Sequence, residues 1–348
     1  MDHRVLSASF ALWIAAIAFA PAAGAQAASQ DATAELPTVV VSGEQPGPGL
    51  WKVSRNDHVL WILGTLSPLP KDMAWRSKEV ESVIAQSQAV LNPPRLKVDA
   101  DIGFFGKLRL LPSLVGVRDN PDHATLQQIV PADLYARWLE LKTKYFGRDR
   151  GRNLETWRPI FAALELYDAA VRKTGLTRSD ITGDIVRNAA ARAGIETTTP
   201  LITLEVDNPR EAVKKFKGSE MEDIECFRKT LDRIEDDVQT MAARANAWAT
   251  ADLETLRKLP DADLRAACFA AVTNTELARE RGIADIDVRL KQAWMDAATA
   301  ALAKNPISFA RLPIDDLLAP DGYLAKLKTR GYAIEAPDDP VADPADSQ

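Results

Sequence analysis

Two short apolar runs open the ordered part of the chain. Gly49-Leu50-Trp51-Lys52-Val53 and Leu60-Trp61-Ile62-Leu63-Gly64-Thr65 flank the polar turn Asn56-Asp57-His58, which predicts a β-hairpin. The second strand runs apolar into a Gly64-Thr65 turn followed by Leu66-Ser67-Pro68-Leu69-Pro70. In α/β proteins such strand ends point ligand-binding groups into a crevice. Val80, Val83 and Ile84 give Ser77 to Gln88 a helical period, and Ala89-Val90-Leu91-Asn92 reads as a strand stopped by Pro93-Pro94. A helix between two apolar strands is the usual way to make a parallel pair. Helical spacing then dominates: Ala132 to Phe146, Pro159 to Lys173, Asp184 to Ala193, Met221 to Trp248, Asp261 to Thr273 and Asp285 to Ala303. Single strands are expected at about Glu196–Leu204, Ile307–Ala310 and Tyr332–Glu335. The pattern predicts an α/β fold, with a small mixed β-sheet, flanking helices and a large helical insertion.

The ends follow other rules. His3 and Arg4 precede an apolar run from Phe10 to Ala20, and Ala23-Gly24-Ala25 supplies a small-x-small cleavage site. Residues 1–25 are therefore expected to be a signal peptide, with cleavage after Ala27 the nearest competitor. The run is shorter than the ~20 residues a membrane span needs. No second run approaches that length, so no membrane span is expected after cleavage, and a secreted, periplasmic location follows. Residues 26–47 read as a flexible linker, with Thr38-Val39-Val40-Val41 able to add an edge strand. Residues 48–337 form the folded domain, and 338–348 read as a disordered acidic tail.

The formal charge of −6 argues against a nucleic-acid partner, which needs a basic surface. Cys226 and Cys268 are the only cysteines. An even count in an exported chain predicts a disulfide between them, the alternative being two buried free thiols.

Further motifs recur in order. Gly194-Ile195-Glu196 precedes Pro200-Leu201-Ile202-Thr203-Leu204-Glu205, then Ala247-Trp248-Ala249-Thr250-Ala251-Asp252-Leu253 follows. Asp315-Asp316-Leu317-Leu318-Ala319-Pro320-Asp321-Gly322 leads to Gly331-Tyr332. Together with the Gly64-Thr65 turn, these segments resemble the TraB/GumN family over about residues 49 to 337. The resemblance implies an erythromycin esterase/ChaN-like fold. It also implies a proposed metal site built from two Gly-x-x-His turns and a carboxylate, some animal members being regarded as metal-dependent peptidases.

This sequence departs from that pattern at each place. Ser67 stands at the first histidine position, Asp316 at the second with Pro313 in place of the motif glycine, and Asn92 at the carboxylate. Ala251 also replaces a family glycine. The resemblance thus makes Gly64, Thr65, Ser67, Asn92, Glu205 and Asp316 the candidate site residues. Catalytic divalent metals take three ligands from His, Asp, Glu or Cys, and Ser67 and Asn92 are poor neutral substitutes. No metal and no cofactor are expected, a hard-ion site of Asp316, Glu205 and waters being the alternative.

Nothing else supplies a nucleophile's base. His58 and His123 fall in polar turns, and no Gly-x-Ser-x-Gly elbow occurs. Lys142, Lys144, Arg148, Arg150 and Arg152 cluster around Tyr145-Phe146-Gly147, either as a loop receiving an anionic ligand or as a solvated helix end. Most tryptophans sit at core spacing; Trp75 alone is also placed to wall a pocket, though core is the expected role there too. Two functions stay open. One is a non-catalytic binding or accessory protein of the cell envelope, taking a peptide or saccharide. The other is a peptidase-like hydrolase of altered chemistry using Ser67, Glu205 and Asp316. The small number of charged groups at the three strand ends favours the first.

Overall fold

A computed structural model describes residues 45–100, 102–147, 150–235, 238–259 and 262–339. All of them belong to the compact unit Leu36–Gln348. The expected signal peptide, the edge strand considered at Thr38–Val41, most of the expected linker and residues 340–348 of the expected tail lie outside the described residues.

The strands are β1 (Leu50–Arg55), β2 (His58–Thr65), β3 (Leu69–Pro70), β4 (Ala89–Leu91), β5 (Arg95–Asp99), β6 (Leu176–Thr177), β7 (Thr197–Thr198), β8 (Leu201–Glu205), β9 (Ile307–Pro313) and β10 (Ala333–Glu335). Six form one mixed sheet in the order β10-β1-β2-β9-β4-β7. The predicted hairpin is present: β1 and β2 pair antiparallel from Leu50↔Leu63 to Arg55↔His58. Asn56 turns it with φ +53°, a conformation asparagine tolerates because its short amide bonds locally. The expected parallel relation of β2 and β4 also holds, but β9 lies between them and is parallel to both. The β-α-β pair is thus completed by a strand from the far end of the chain.

That placement explains the burial. β9 is covered on both faces, so Phe309, Ala310 and Leu312 are fully buried. Trp294, Met295, Ala298 and Leu302 of the helix Ile286–Lys304 join them in the core with Trp51, Leu60, Ile62 and Trp248. Trp75 is core as well, edge-on to Trp248 at 5.8 Å. A second cluster, including Leu126, Trp138, Leu166, Phe227 and Leu231, makes the helical insertion self-supporting.

Helices at Ala132–Phe146 and Pro159–Lys173 follow the sequence period. Within the helical stretch expected over Met221 to Trp248, helix is described at Ile224–Glu235 and Val238–Ala249, with 236–237 outside the described residues. The first of these is joined to Ala262–Thr273 by a Cys226–Cys268 disulfide, with Cα atoms 4.5 Å apart.

β4 ends at Leu91, ahead of the expected Pro93-Pro94 stop, but the sequence pattern does not predict the extended chain directly after the prolines. Proline removes a donor from the ladder but allows extended backbone, so the chain resumes as β5. Pro200 interrupts the neighbour in the same way, splitting the expected Glu196–Leu204 strand into β7 and β8. β5 and β8 pair in parallel from Arg95↔Leu201 to Asp99↔Glu205 as a two-stranded arm. The helix Phe104–Leu114, which hydrophobic period did not reveal, follows the arm.

Candidate functional site

β2, β9 and β4 run in the same direction, so Thr65, Pro313 and Asn92 come out at one edge of the sheet. This is where open α/β sheets carry their ligands. A cavity of about 310 Å³ lies there. Thr65 and Ser67 line it from the end of β2, Pro313 and Asp315 from the end of β9, and Asp180 from the start of the helix Ile181–Ala193. Four arginines, Arg95, Arg178, Arg265 and Arg311, complete its wall.

Arg311 is the anchor. It is only 8% exposed and stands in a strand otherwise apolar but for Ser308. Its Nε donates to Asn92 Oδ1 at 2.9 Å, and its Nη1 donates to Asp180 Oδ2. Asn92 is held in turn, donating through Nδ2 to Thr199 Oγ1 at 3.2 Å. Asp180 also caps its helix, accepting from the Gly183 N–H at 2.8 Å and the Thr182 hydroxyl at 3.1 Å. Partial burial alone would raise the Asp180 carboxyl. The hydrogen bond and charge of Arg311, with the Gly183 and Thr182 donors, outweigh that and hold it below the ordinary carboxylate value. Gly183 has no room for a side chain, since a Cβ would lie 2.2 Å from Asp180 Oδ2 and 2.8 Å from Arg311 Nη1.

The other charges are also tethered. Arg178 donates to Asp168 at 2.5 Å. Asp315 accepts from the buried Arg244 at 2.9 and 3.0 Å. Arg265 donates to Asp316 at 2.8 Å. Burial pushes the Asp316 carboxyl up, against the Arg265 charge that pulls it down.

The candidate residues therefore separate. Gly64 is a packing residue: its carbonyl accepts from Trp248 Nε1 at 2.7 Å, and a Cβ would lie 2.7 Å from the Trp51 ring. Thr65 and Ser67 face the cavity, Ser67 exposed. Asn92 acts on the cavity through Arg311. Asp316 touches it only through Arg265, and its neighbour Asp315 is the lining carboxylate. Glu205 ends β8 opposite Asp99, about 13 Å along the arm from the Arg95 rung at ~3.3 Å per residue. His58 Nδ1 donates to the Leu302 carbonyl at 2.6 Å at the opposite end of β2, and His123 sits in the turn Pro121–His123. No histidine lines the cavity.

The donor set does not fit a divalent metal. Ser67 and Asn92 are neutral, Asp180 and Asp315 are each bonded to a guanidinium, and four arginines repel a cation. Among the described residues, no group of three His, Cys, Asp or Glu is placed to hold one.

A model of the TraB/PrgY/gumN family matches residues 49–336. The chain belongs to the TraB/PrgY/gumN family. No curated protein and no solved structure matches it significantly. In this TraB/PrgY/gumN protein the first and last motif segments reach the cavity, through Thr65, Ser67 and Asp315, while Arg311 and Asp180 carry its geometry. A larger opening of about 640 Å³ lies in the helical insertion, lined by Tyr145, Phe146, Trp157, Arg150, Arg172 and Lys173. It includes part of the basic cluster, Arg148 lying outside the described residues. Lys142 of that cluster pairs with Glu155. Among the described residues, no helix is long and apolar enough to cross a membrane.

Proposed function

We propose that the strand-end cavity binds an anionic group, a carboxylate or phosphate carried on a saccharide or peptide, and that the protein serves as a binding or accessory protein of the cell envelope. One observation carries this reading: four arginines line the cavity with the exposed Ser67 hydroxyl, against two lining carboxylates, Asp180 and Asp315, each bonded to a guanidinium. Arginine suits such groups because its planar fork presents paired donors to carboxylate and phosphate oxygens. The hydrolase alternative has less support, since Ser67 has no histidine beside it and Glu205 stands away on the arm.

Export as a secreted, periplasmic protein completes the proposal. The leader-like residues 1–25 support it, as does the Cys226–Cys268 bond, because disulfides persist in oxidising compartments. N-terminal sequencing of the exported fraction is expected to begin at Gln26 or Ala28, and a start at Met1 would overturn it.

Calorimetric titration with a trigalacturonate, a tripeptide and inorganic phosphate tests the cavity. Binding of at least one probe is expected, weakened tenfold or more by Arg95→Ala combined with Arg178→Ala. Affinity unchanged by that pair excludes the cavity. Probe cleavage abolished by Ser67→Ala would establish the hydrolase reading instead.

A further inference from the structure

The helix Phe104–Leu114 is amphipathic in the wrong sense for a core helix. Gly106, Leu110 and Ser113 are half-buried on one side. Phe105, Leu108, Leu111 and Val115 recur on the other and stand 73%, 55%, 56% and 75% exposed. Scattered exposed leucines need no explanation, but a continuous stripe of four large side chains does.

The stripe is not on a loosely attached segment. Its neighbour, the helix Pro209–Gly218, packs beside it. Arg210 donates to the Arg109 carbonyl at 2.8 Å and Lys217 to the Val115 carbonyl at 2.6 Å. The second bond satisfies a carbonyl beyond the helix end that would otherwise lack a partner. Two cationic side chains thus hold the apolar face outward.

Charge selects what covers it. Between residues 102 and 118 the sequence holds Lys107, Arg109 and Arg118 and no acid. The supporting helix adds Arg210, Lys214, Lys215 and Lys217 against Glu211, in a chain whose net charge is −6. Of these, Lys215 is paired to Glu280, while Arg109 is exposed on the stripe's own helix and Lys214 on the supporting one. A second copy of the chain would set cation against cation. An apolar stripe edged by cations matches an anionic lipid surface, where the apolar side enters the headgroup boundary and the cations meet phosphate. The helix has eleven residues, about 16 Å at 1.5 Å per residue, far short of a span.

We propose that the helix Phe104–Leu114 docks this protein peripherally on an anionic phospholipid bilayer. The docking face is separate from the strand-end cavity and does not depend on what that cavity binds.

Vesicle co-sedimentation tests it, using the form beginning at Gln26 so that the Phe10–Ala20 run cannot partition. That form keeps the compact unit Leu36–Gln348 intact. Vesicles of phosphatidylcholine with about a third phosphatidylglycerol are compared with phosphatidylcholine alone, at low and high salt. Binding is expected to the anionic vesicles only and to fall with salt. It should drop at least tenfold in Leu108→Glu/Val115→Glu, and likewise in Arg109→Glu/Lys214→Glu. The second pair replaces exposed polar residues and keeps the test valid if the first pair fails to fold, which melting and circular dichroism report. Equal sedimentation of wild type and folded variants, equal binding to both lipids, or no binding at all overturns the proposal. A concentration-dependent dimer broken by Leu108→Glu/Val115→Glu also overturns it, in favour of a second copy.

Discussion

Arg311 Nε donates to Asn92 Oδ1 across 2.9 Å, so the residue that follows β4 orients the guanidinium near the end of β9. The position where the family pattern calls for a carboxylate is therefore occupied by a positioning amide. The carboxylate that meets Arg311 comes from a helix cap, Asp180.

Asp180→Asn should separate charge from capping, because asparagine still caps a helix. The folded Asp180 carboxyl lies below its ordinary value, so its contribution is present in full above pH ~4 and disappears as pH falls through the folded value. Wild type should exceed the variant by about 1–2 kcal/mol at pH 7, discounted because the carboxylate is half exposed. Urea unfolding from pH 2 to 7 checks this, and the two curves should converge at the acid end.

Trp248→Phe tests the floor of the site. Trp248 is fully buried and its Nε1 donates to the Gly64 carbonyl at 2.7 Å. Losing that buried bond and some packing volume should cost about 2–4 kcal/mol in denaturant unfolding, with the m-value unchanged.

Ala251 holds φ +57°, a left-handed conformation that a Cβ disfavours, at the position where the family motif has glycine. Ala251→Gly removes that penalty and adds chain entropy to the unfolded state, for a net gain of about 0.5–1 kcal/mol. A rise of roughly 1–3 °C in melting temperature is expected.

Reduction should destabilise the insertion. The Cys226–Cys268 bond spans a sequence separation of 42, and closing a loop of that length is worth up to ~4 kcal/mol in the chain-entropy model. Thiol titration of denatured, unreduced protein should find no free thiol, and the melting temperature should fall after reduction.

Much of this architecture was legible because hydrophobic period tracks burial. The hairpin, the helix Ala132–Phe146 and the helix Pro159–Lys173 stand where Leu, Trp and Ala spacing places them. The arm was hidden because Pro93-Pro94 and Pro200 are strand-stop signals: each does follow the end of a main-sheet strand, but extended chain resumes beyond it as β5 and β8. The site was only half legible. Motif order led to Thr65, Ser67 and Asn92, but Arg311 and Asp180 were missed. Arg311 did leave a signal, as the one charge in the apolar run Ile307–Leu312, and Asp180 left one as the acid before the helical stretch at Ile181. Their pairing joins positions 131 residues apart, which no local spacing encodes.

β9 sits at the centre of the sheet but is made near the end of the chain. Its pairing with β2 joins residues about 250 positions apart, Val59 to Ile307 among them. A nascent or truncated chain that stops before residue 307 leaves β2 and β4 facing each other across an empty strand position, each with bare ladder groups and apolar flanks. Completion of the sheet, and with it the cavity, therefore waits for residues 307–313. Fragments lacking that segment should be targets for degradation rather than partly working proteins.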